Sequence, residues 1–323
     1  MITCAIAGLG RWGRALVEAA RGNPRLQILH AVEADLERAR DFSAAHGIAL
    51  TGDFEAILDD PAIDAVLLAT PHSQHKAQVI AAAAARKQVF CEKPLALRGI
   101  DAQAMFAACR KAHVLLAVGH NRRFWPSMER LRAIVASGEL GRILHIEGHN
   151  SNENSNSILA GWRLSPQESP GGGLTGAGLH VLDAFTSLVG PARQVYARLS
   201  AREAGPPPID SVMLAIDFDS GVTGTLATVR ATPFYWRVHV FGSKGSAEVL
   251  DEVTLVVRKS AHAQPITCPA IDTLAAELDA FADAIEGIRP YPVSEAEVLA
   301  TLAAFEAALA SIHCGQPVDC NVR

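Results

Sequence analysis

The sequence has no excess of positive charge and no closely paired cysteines. It sets 29 Lys and Arg against 34 Asp and Glu, for a net charge of -5 and an isoelectric point near 6.2. That balance, with neither a basic stripe nor a basic tail, argues against a nucleic acid or an anionic membrane as partner. The six cysteines (Cys4, Cys91, Cys109, Cys268, Cys314 and Cys320) lie far apart, and none belongs to a C-x-x-C pair. A disulfide framework and a zinc site are both disfavoured, no metal is expected, and a reducing cytoplasm is the default compartment. Cys4 and Cys91 fall inside strands predicted to be buried, where a free thiol serves as a small apolar residue. The Ala-rich run from Ile80 to Ala85 stops at Arg86 and Lys87, too short for a membrane span, and reads as a buried helix. A secretory leader is not expected, because a glycine motif starts almost at Met1. Internal repeats and low-complexity tracts are missing as well, apart from a stiff Pro206-Pro207-Pro208 loop.

What is present is apolar residue enough for two cores. Of 323 residues, 49% are apolar and 20% charged, which fits an ordered chain of two domains. The chain begins with an apolar strand, Ile2 to Ala7, that runs into Gly8-Leu9-Gly10-Arg11-Trp12-Gly13. An amphipathic segment follows, then a break at Gly22-Asn23-Pro24, then a second apolar strand ending at Glu33, twenty residues beyond Gly13. Strand, G-x-G-x-x-G turn, helix, strand and acid in this order form a dinucleotide-binding unit. Gly8 permits the tight turn, Gly10 lets the backbone approach a pyrophosphate, and Gly13 lets helix and strand pack closely. The helix N-terminus offers N–H groups and a positive dipole end to the phosphates, with Arg11 and Trp12 beside them. Glu33 accepts hydrogen bonds from adenosine ribose hydroxyls but repels a 2′-phosphate, so NAD is expected over NADP; the nearby Asp35 and Arg38 bear on that choice.

Apolar runs at 2–8, 26–32, 64–70, 88–92 and 114–118, with a weaker one near 48–50, alternate with helical patterns at 11–21, 35–46, 74–86 and 99–112. Such βαβ alternation predicts an α/β fold with a doubly wound parallel sheet, whose ligands sit beyond the carboxyl ends of the strands. After Gly119 the pattern changes. Pro126 suits the first turn of a helix to Ser137, stopped by Gly138. Residues 150–157 are rich in Asn and Ser and read as an exposed loop. From 193 to 258 the alternation has period two, with turns at Asp219-Ser220-Gly221 and Gly242-Ser243-Lys244-Gly245, as in an antiparallel meander. Helices are predicted at 179–189, 271–287 and 294–313. The division is therefore a Rossmann domain over 1–120 and a second α/β domain over 121–323.

Three more motifs stand at strand ends or close to a helix start: Thr70-Pro71-His72-Ser73-Gln74-His75, Glu92-Lys93-Pro94, and Gly119-His120-Asn121-Arg122-Arg123-Phe124. A fourth, Gly171-Gly172-Gly173, precedes Gly178-Leu179-His180-Val181-Leu182-Asp183. Taken in order with the glycine turn, they resemble the glucose–fructose oxidoreductase / inositol dehydrogenase / rhizopine catabolism family over essentially the whole chain. The resemblance implies a Rossmann domain followed by an α/β domain with an open, mainly antiparallel sheet, which commonly forms the interface of a homodimer or homotetramer. It implies hydride transfer between NAD or NADP and a sugar, inositol or related cyclic polyol. It further implies that Lys93 reaches the reacting oxygen, that the bond to Pro94 is cis, and that His180 is the proton donor or acceptor. The family usually carries an Asp four residues before that histidine; here the position is Gly176.

The chemistry suits the residue types. Oxidising an alcohol needs a base within hydrogen-bond reach of the hydroxyl, which fits an imidazole titrating near neutrality. It also needs a cation to stabilise developing alkoxide, which fits the Lys93 ammonium. Asp183, three residues beyond His180 on a helix, either orients the His180 ring or pins a domain interface. Thr70, Pro71 and His75 are expected to border the cofactor, and Glu92 to meet a ribose hydroxyl. Asn121 and Arg122 line the substrate pocket in the family; as plain sequence they are also polar helix-entry residues. Trp162 and Arg163 supply a flat apolar face and a fork of donors, suited to a sugar ring or a carboxylated substrate. Three readings remain open: a dehydrogenase, a non-catalytic dinucleotide- or sugar-binding regulator of the same fold, and an enzyme that keeps its cofactor while shuttling hydride between two sugars.

Overall fold

The computed structural model describes residues 1–151, 161–203, 209–230 and 232–320. The chain divides into two compact units, Met1–Asn121 with Asp272–Ser294, and Arg122–Ile271 with Glu295–Arg323.

The first unit runs β1 (Ile2–Ala7), α1 (Arg11–Ala20), β2 (Leu26–Val32), α2 (Leu36–His46), β3 (Ala49–Thr51), α3 (Phe54–Asp59), β4 (Ala65–Leu68), α4 (His72–Ala84), β5 (Gln88–Glu92), α5 (Gly99–Ala112) and β6 (Leu116–Gly119). Its six strands are all parallel, in the order β3-β2-β1-β4-β5-β6. The order reverses between β1 and β4, so the switch point of this doubly wound sheet falls beside the glycine turn. Strand residues such as Cys4, Ile6, Val66, Leu67 and Phe90 have no exposed surface, as expected of a parallel sheet covered on both faces. Local chemistry sets the helix limits. Asp35 accepts from the Arg38 N–H at the start of α2, and Gly47 ends that helix in the left-handed region. Asp53 caps the short α3, an element the apolar periodicity does not signal.

The segment 272–294, which a division at residue 120 leaves in the second domain, belongs to this first unit. Its helix, Thr273–Ile285, is capped by Asp272, whose carboxylate accepts from the Leu274 and Ala275 N–H groups. It packs on α1 and β2. Arg25 bridges to Asp279 at 3.3 Å and to Asp283, and Tyr291 Oη donates to the Val118 carbonyl at 3.1 Å. Ion pairs and an apolar helix face fix this return. Neither leaves a sequence signal that names its partner.

The second unit begins with the helix α6 (Pro126–Ala136), with Pro126 in its first turn and Gly138 in the left-handed region just beyond its end. Strand β7 (Ile143–Ser151) follows, then a 3₁₀ turn (Gly161–Leu164), a π-helical turn (Leu174–Gly178) and α7 (Leu179–Val189). The strands β8 (Ala192–Glu203), β9 (Ile209–Phe218), β10 (Thr223–Val229), β11 (Tyr235–Gly242), β12 (Gly245–Val249), β13 (Thr254–Lys259) and β14 (His262–Thr267) come next. With the first-unit segment numbered α8, the chain closes with α9 (Glu295–Cys314) and β15 (Val318–Asp319). The sheet order is β14-β13-β12-β11-β7-β10-β9-β8-β15, with β7 and β10 parallel and every other pair antiparallel. The loop expected over 150–157 is corrected in part. Asn150 and Ser151 end β7 and are buried at 1% exposure, because they pair with Trp236 and Tyr235. Residues 152–157, like Pro206-Pro207-Pro208, lie outside the described residues.

One face of the sheet carries α7 and α9. Gly148 makes this possible: a Cβ there would stand 2.2 Å from Val181 Cγ1 and 2.8 Å from the Phe185 ring. On strands β9 and β10, Val212, Leu214, Ile216 and Leu226 point to the buried side at every second residue. On β7, β11 and β12 the alternate positions carry an ion network, with Arg237 2.7 Å from Glu248 and 3.0 Å from Glu147. His239 sits within it at 6% exposure, and burial pushes its pKa down to about 4. The folded chain therefore keeps His239 neutral where the unfolded chain, titrating near 6.5, binds a proton. Stability should fall as pH drops from 6.5 toward 4, and His239→Gln should flatten that slope in urea denaturation across this range. An unchanged slope would remove His239 as its cause.

Candidate active site

The first unit gathers its candidate residues at the carboxyl ends of β1, β2, β4 and β5. Gly8 has a φ of 91°, and a Cβ on it would meet the Ala69 carbonyl oxygen at 2.7 Å. A Cβ on Gly13 would stand 1.9 Å from the Gly8 carbonyl oxygen, so helix α1 reaches the turn only because residue 13 is glycine. Nothing lies within 4 Å of the Cβ position of Gly10, which begins α1 without a side-chain cap. The first-turn N–H groups, from Arg11, Trp12 and Gly13, are thus left for a bound anion. The Arg11 guanidinium lies 5.7 Å from the Trp12 ring centre.

Glu33 closes this turn. Its Oε2 accepts from the Leu9 N–H at 2.8 Å and its Oε1 from the Ala34 N–H at 3.0 Å. Arg38 Nη2 approaches the same carboxylate at 3.3 Å, from a side chain that is 57% exposed. A carboxylate fixed by backbone donors, next to a glycine opening and an uncapped helix, fits a dinucleotide with its ribose at Glu33 and its pyrophosphate over Gly10.

Thr70 Oγ1 donates to Gln78 Oε1 at 2.6 Å, and Pro71 stands at the start of α4. Glu92 ends β5 at 6% exposure, its Oε2 accepting from the Lys93 N–H at 3.3 Å. A Cβ on Gly119 would fall 2.8 Å from Glu92 Oε1, so the carboxylate leans on the end of β6. The Lys93–Pro94 bond is cis, as the resemblance implies, and Lys93 is half-buried. His75, expected to border the cofactor, has no exposed surface, and its ring nitrogens face the carbonyl oxygens of Pro94 and Thr70.

Asn121 opens a 3₁₀ turn at the end of the first unit. In the second unit, Arg122 is boxed by rings, 4.2 Å from the centre of Trp236 and 4.9 Å from that of Trp125, and burial pushes its pKa down to about 9. Its Nη1 is buried and has no hydrogen-bond partner among the described residues. Arg163 stacks on its neighbour Trp162 at 4.1 Å. His180, 9% exposed, occupies the first turn of α7, which the π-helical turn feeds. Within that turn lies Gly176, and nothing among the described residues stands within 4 Å of its Cβ position.

Asp183 is bound within the second unit. Arg123 holds its carboxylate by two bonds, Nε to Oδ2 at 2.7 Å and Nη2 to Oδ1 at 2.8 Å, and bonds Glu297 Oε1 at 2.8 Å. Arg123 and Asp183 are each 4% exposed in their side chains. Sequence reasoning missed Arg123, which sits sixty residues from Asp183; no local spacing links the two.

A model of an oxidoreductase family with an NAD-binding Rossmann fold matches residues 2–120, and a GFO/IDH/MocA C-terminal domain model matches residues 128–248. The chain belongs to the GFO/IDH/MocA oxidoreductase family. It is similar to a myo-inositol 2-dehydrogenase of Thermotoga maritima, at 31% identity over 78% of this chain and 77% of that one. An uncharacterized oxidoreductase, YrbE of Bacillus subtilis, is 30% identical over 76% of this chain and 73% of its own length. Among solved structures, levoglucosan dehydrogenase in complex with NADH and levoglucosan superposes with a TM-score of 0.88 at 26% identity, covering 99% of both chains. This GFO/IDH/MocA chain is accordingly a dehydrogenase with a nicotinamide-dinucleotide domain as its first unit.

The buried pair at the start of α7 should be essential to the second unit. Arg123→Met removes both guanidinium bonds from the buried Asp183 carboxylate, and should cost about 3–5 kcal/mol in urea denaturation. A loss below about 1 kcal/mol, the range of exposed pairs, would show that water reaches the site.

Proposed function

We propose that this chain oxidises a secondary alcohol of a sugar, inositol or related cyclic polyol to the ketone with NAD, using Lys93 and His180 as its catalytic pair. The observation that carries the reading is the Glu33 carboxylate bonded to the Leu9 N–H inside the glycine turn, on the same sheet edge that ends in Glu92-Lys93. The likeness to a myo-inositol dehydrogenase and a levoglucosan dehydrogenase supports a hydroxylated ring as substrate. Nicotinamide, when bound, supplies the hydride acceptor. The imidazole of His180 takes the hydroxyl proton, and the Lys93 ammonium stabilises the negative charge that grows on that oxygen. Glu92 and Glu33 hold ribose hydroxyls, Thr70 and Pro71 border the cofactor, and Arg11 and Trp12 flank the pyrophosphate. Asn121, Arg122, Trp162 and Arg163 contribute to the substrate pocket. The open face of the nine-stranded sheet serves a homodimer or homotetramer.

A second reading, a regulator that binds dinucleotide or sugar without turnover, draws on one feature: Gly176 stands where the family usually has Asp. A panel of sugars, inositols and sugar acids with NAD and NADP, followed by nicotinamide absorbance, separates the two. Turnover is expected on at least one member. On that substrate Lys93→Met should lower kcat by about 100-fold or more; an unchanged kcat would end the catalytic assignment. NAD should exceed NADP in kcat/KM by about tenfold or more, because the Glu33 carboxylate repels a 2′-phosphate. Glu33→Gln should narrow that ratio, since it removes the repulsion and leaves Arg38 to meet the phosphate. A wild-type preference for NADP would refute the role given to Glu33.

A further inference from the structure

His75 lies in the first turn of α4 with no exposed surface. Its Nδ1 is 3.0 Å from the Pro94 carbonyl oxygen and 3.3 Å from that of Leu95, and its Nε2 is 3.0 Å from the Thr70 carbonyl oxygen. All three of these carbonyl oxygens are acceptors. A neutral imidazole carries one N–H, so one of its nitrogens would set a lone pair against a carbonyl oxygen at hydrogen-bond distance. Only the imidazolium donates on both sides, and bonds from a charged donor are the stronger kind. Carbonyl oxygens at both ends of the ring offset part of the cost of burying that charge.

The partners lie in two different strand-end turns. Thr70 follows β4, while Pro94 and Leu95 follow Lys93 directly. We propose that His75 is a positioning residue, held as an imidazolium that donates from both ring nitrogens, and that it places Lys93 by tying the Pro94–Leu95 turn to Thr70. The placement of Lys93 matters under the dehydrogenase reading above, on which this part of the inference rests. Other titratable groups surround the clamp: His72 on the same helix, with its ring edge-on at 5.8 Å; Glu92 and Lys93 on the turn; and Lys76, paired at 2.7 Å with Asp101 of α5. None of these contributes the two donations, which come from one ring.

Two measurements test the clamp. In protein carrying ¹⁵N-labelled histidine, nitrogen–proton correlation spectra at about pH 8, above the ordinary imidazole pKa, should show one solvent-protected ring protonated at both nitrogens. Full burial identifies that ring by slow proton exchange, and its absence in His75→Gln confirms it. Kinetically, His75→Gln keeps a donor toward one turn only. It should lower kcat by about tenfold to 100-fold, in line with a misplaced catalytic group. It should also erase an alkaline ionisation from the kcat profile and leave the Kd for NAD unchanged. His75→Leu, without either donor, should lose more. A ring protonated at a single nitrogen overturns the proposal, as does a folded His75→Gln with wild-type kcat and pH profile. If no substrate is turned over, the failure lies with the dehydrogenase reading, and the spectra still decide the state of the ring.

Discussion

The first unit depends on how closely the start of α1 approaches the glycine turn. With the Gly8 carbonyl 1.9 Å from where a Cβ of residue 13 would be, any side chain there forces helix and strand apart. That contact holds the first-turn N–H groups of α1 over the opening at Gly10. It also leaves the Leu9 amide pointing at Glu33, whose carboxylate ties β2 to the turn. From there the chain of contacts continues sideways. Gly8 touches the Ala69–Thr70 backbone, and His75 joins Thr70 to the turn that follows Lys93. The cofactor opening and the lysine loop are thus linked through backbone atoms, which neighbouring side chains replace less readily than they replace one another.

The second unit solves a different problem. A nine-stranded sheet must seat its helices closely, and α7 comes close enough because Gly148 carries no Cβ. The start of α7 is then fixed by the Arg123 fork on Asp183, a charge pair shielded from water and completed by Glu297. A fork of this geometry sets orientation as well as distance. It holds Asp183 on the helix that carries His180. The opposite face of the sheet is polar and ionic around Arg237 and Glu248, yet buries His239 enough to keep it neutral.

Much of this was legible along the chain because the causes are local. Apolar runs with period two or 3.6, capping residues, turn glycines and the G-x-G-x-x-G spacing each act within a few residues. Pro126 and Gly138 bound α6, and Gly242 faces Gly245 across a hairpin, where the sequence signals lie. The errors share a cause of the opposite kind. Asn150 and Ser151 look like loop residues by composition, but a strand partner buries them. The segment 272–294 follows the meander in sequence, yet its ion pairs run to Arg25. The His75 ring nitrogens face carbonyls of Pro94 and Leu95 as well as that of nearby Thr70, and the motif names only the last of these.

The sequence by itself determined the parallel sheet, the dinucleotide turn, the acid at its far side and the family. These follow from short-range sterics and hydrogen bonding, which residue spacing records directly. Only the tertiary structure decided that Asp183 answers to Arg123, that Arg122 is boxed by Trp125 and Trp236, and that His75 is enclosed by backbone. The partners of these groups lie up to more than a hundred residues away. A polar side chain takes its role from whatever the fold brings within about 3 Å of it, and spacing along the chain does not encode that.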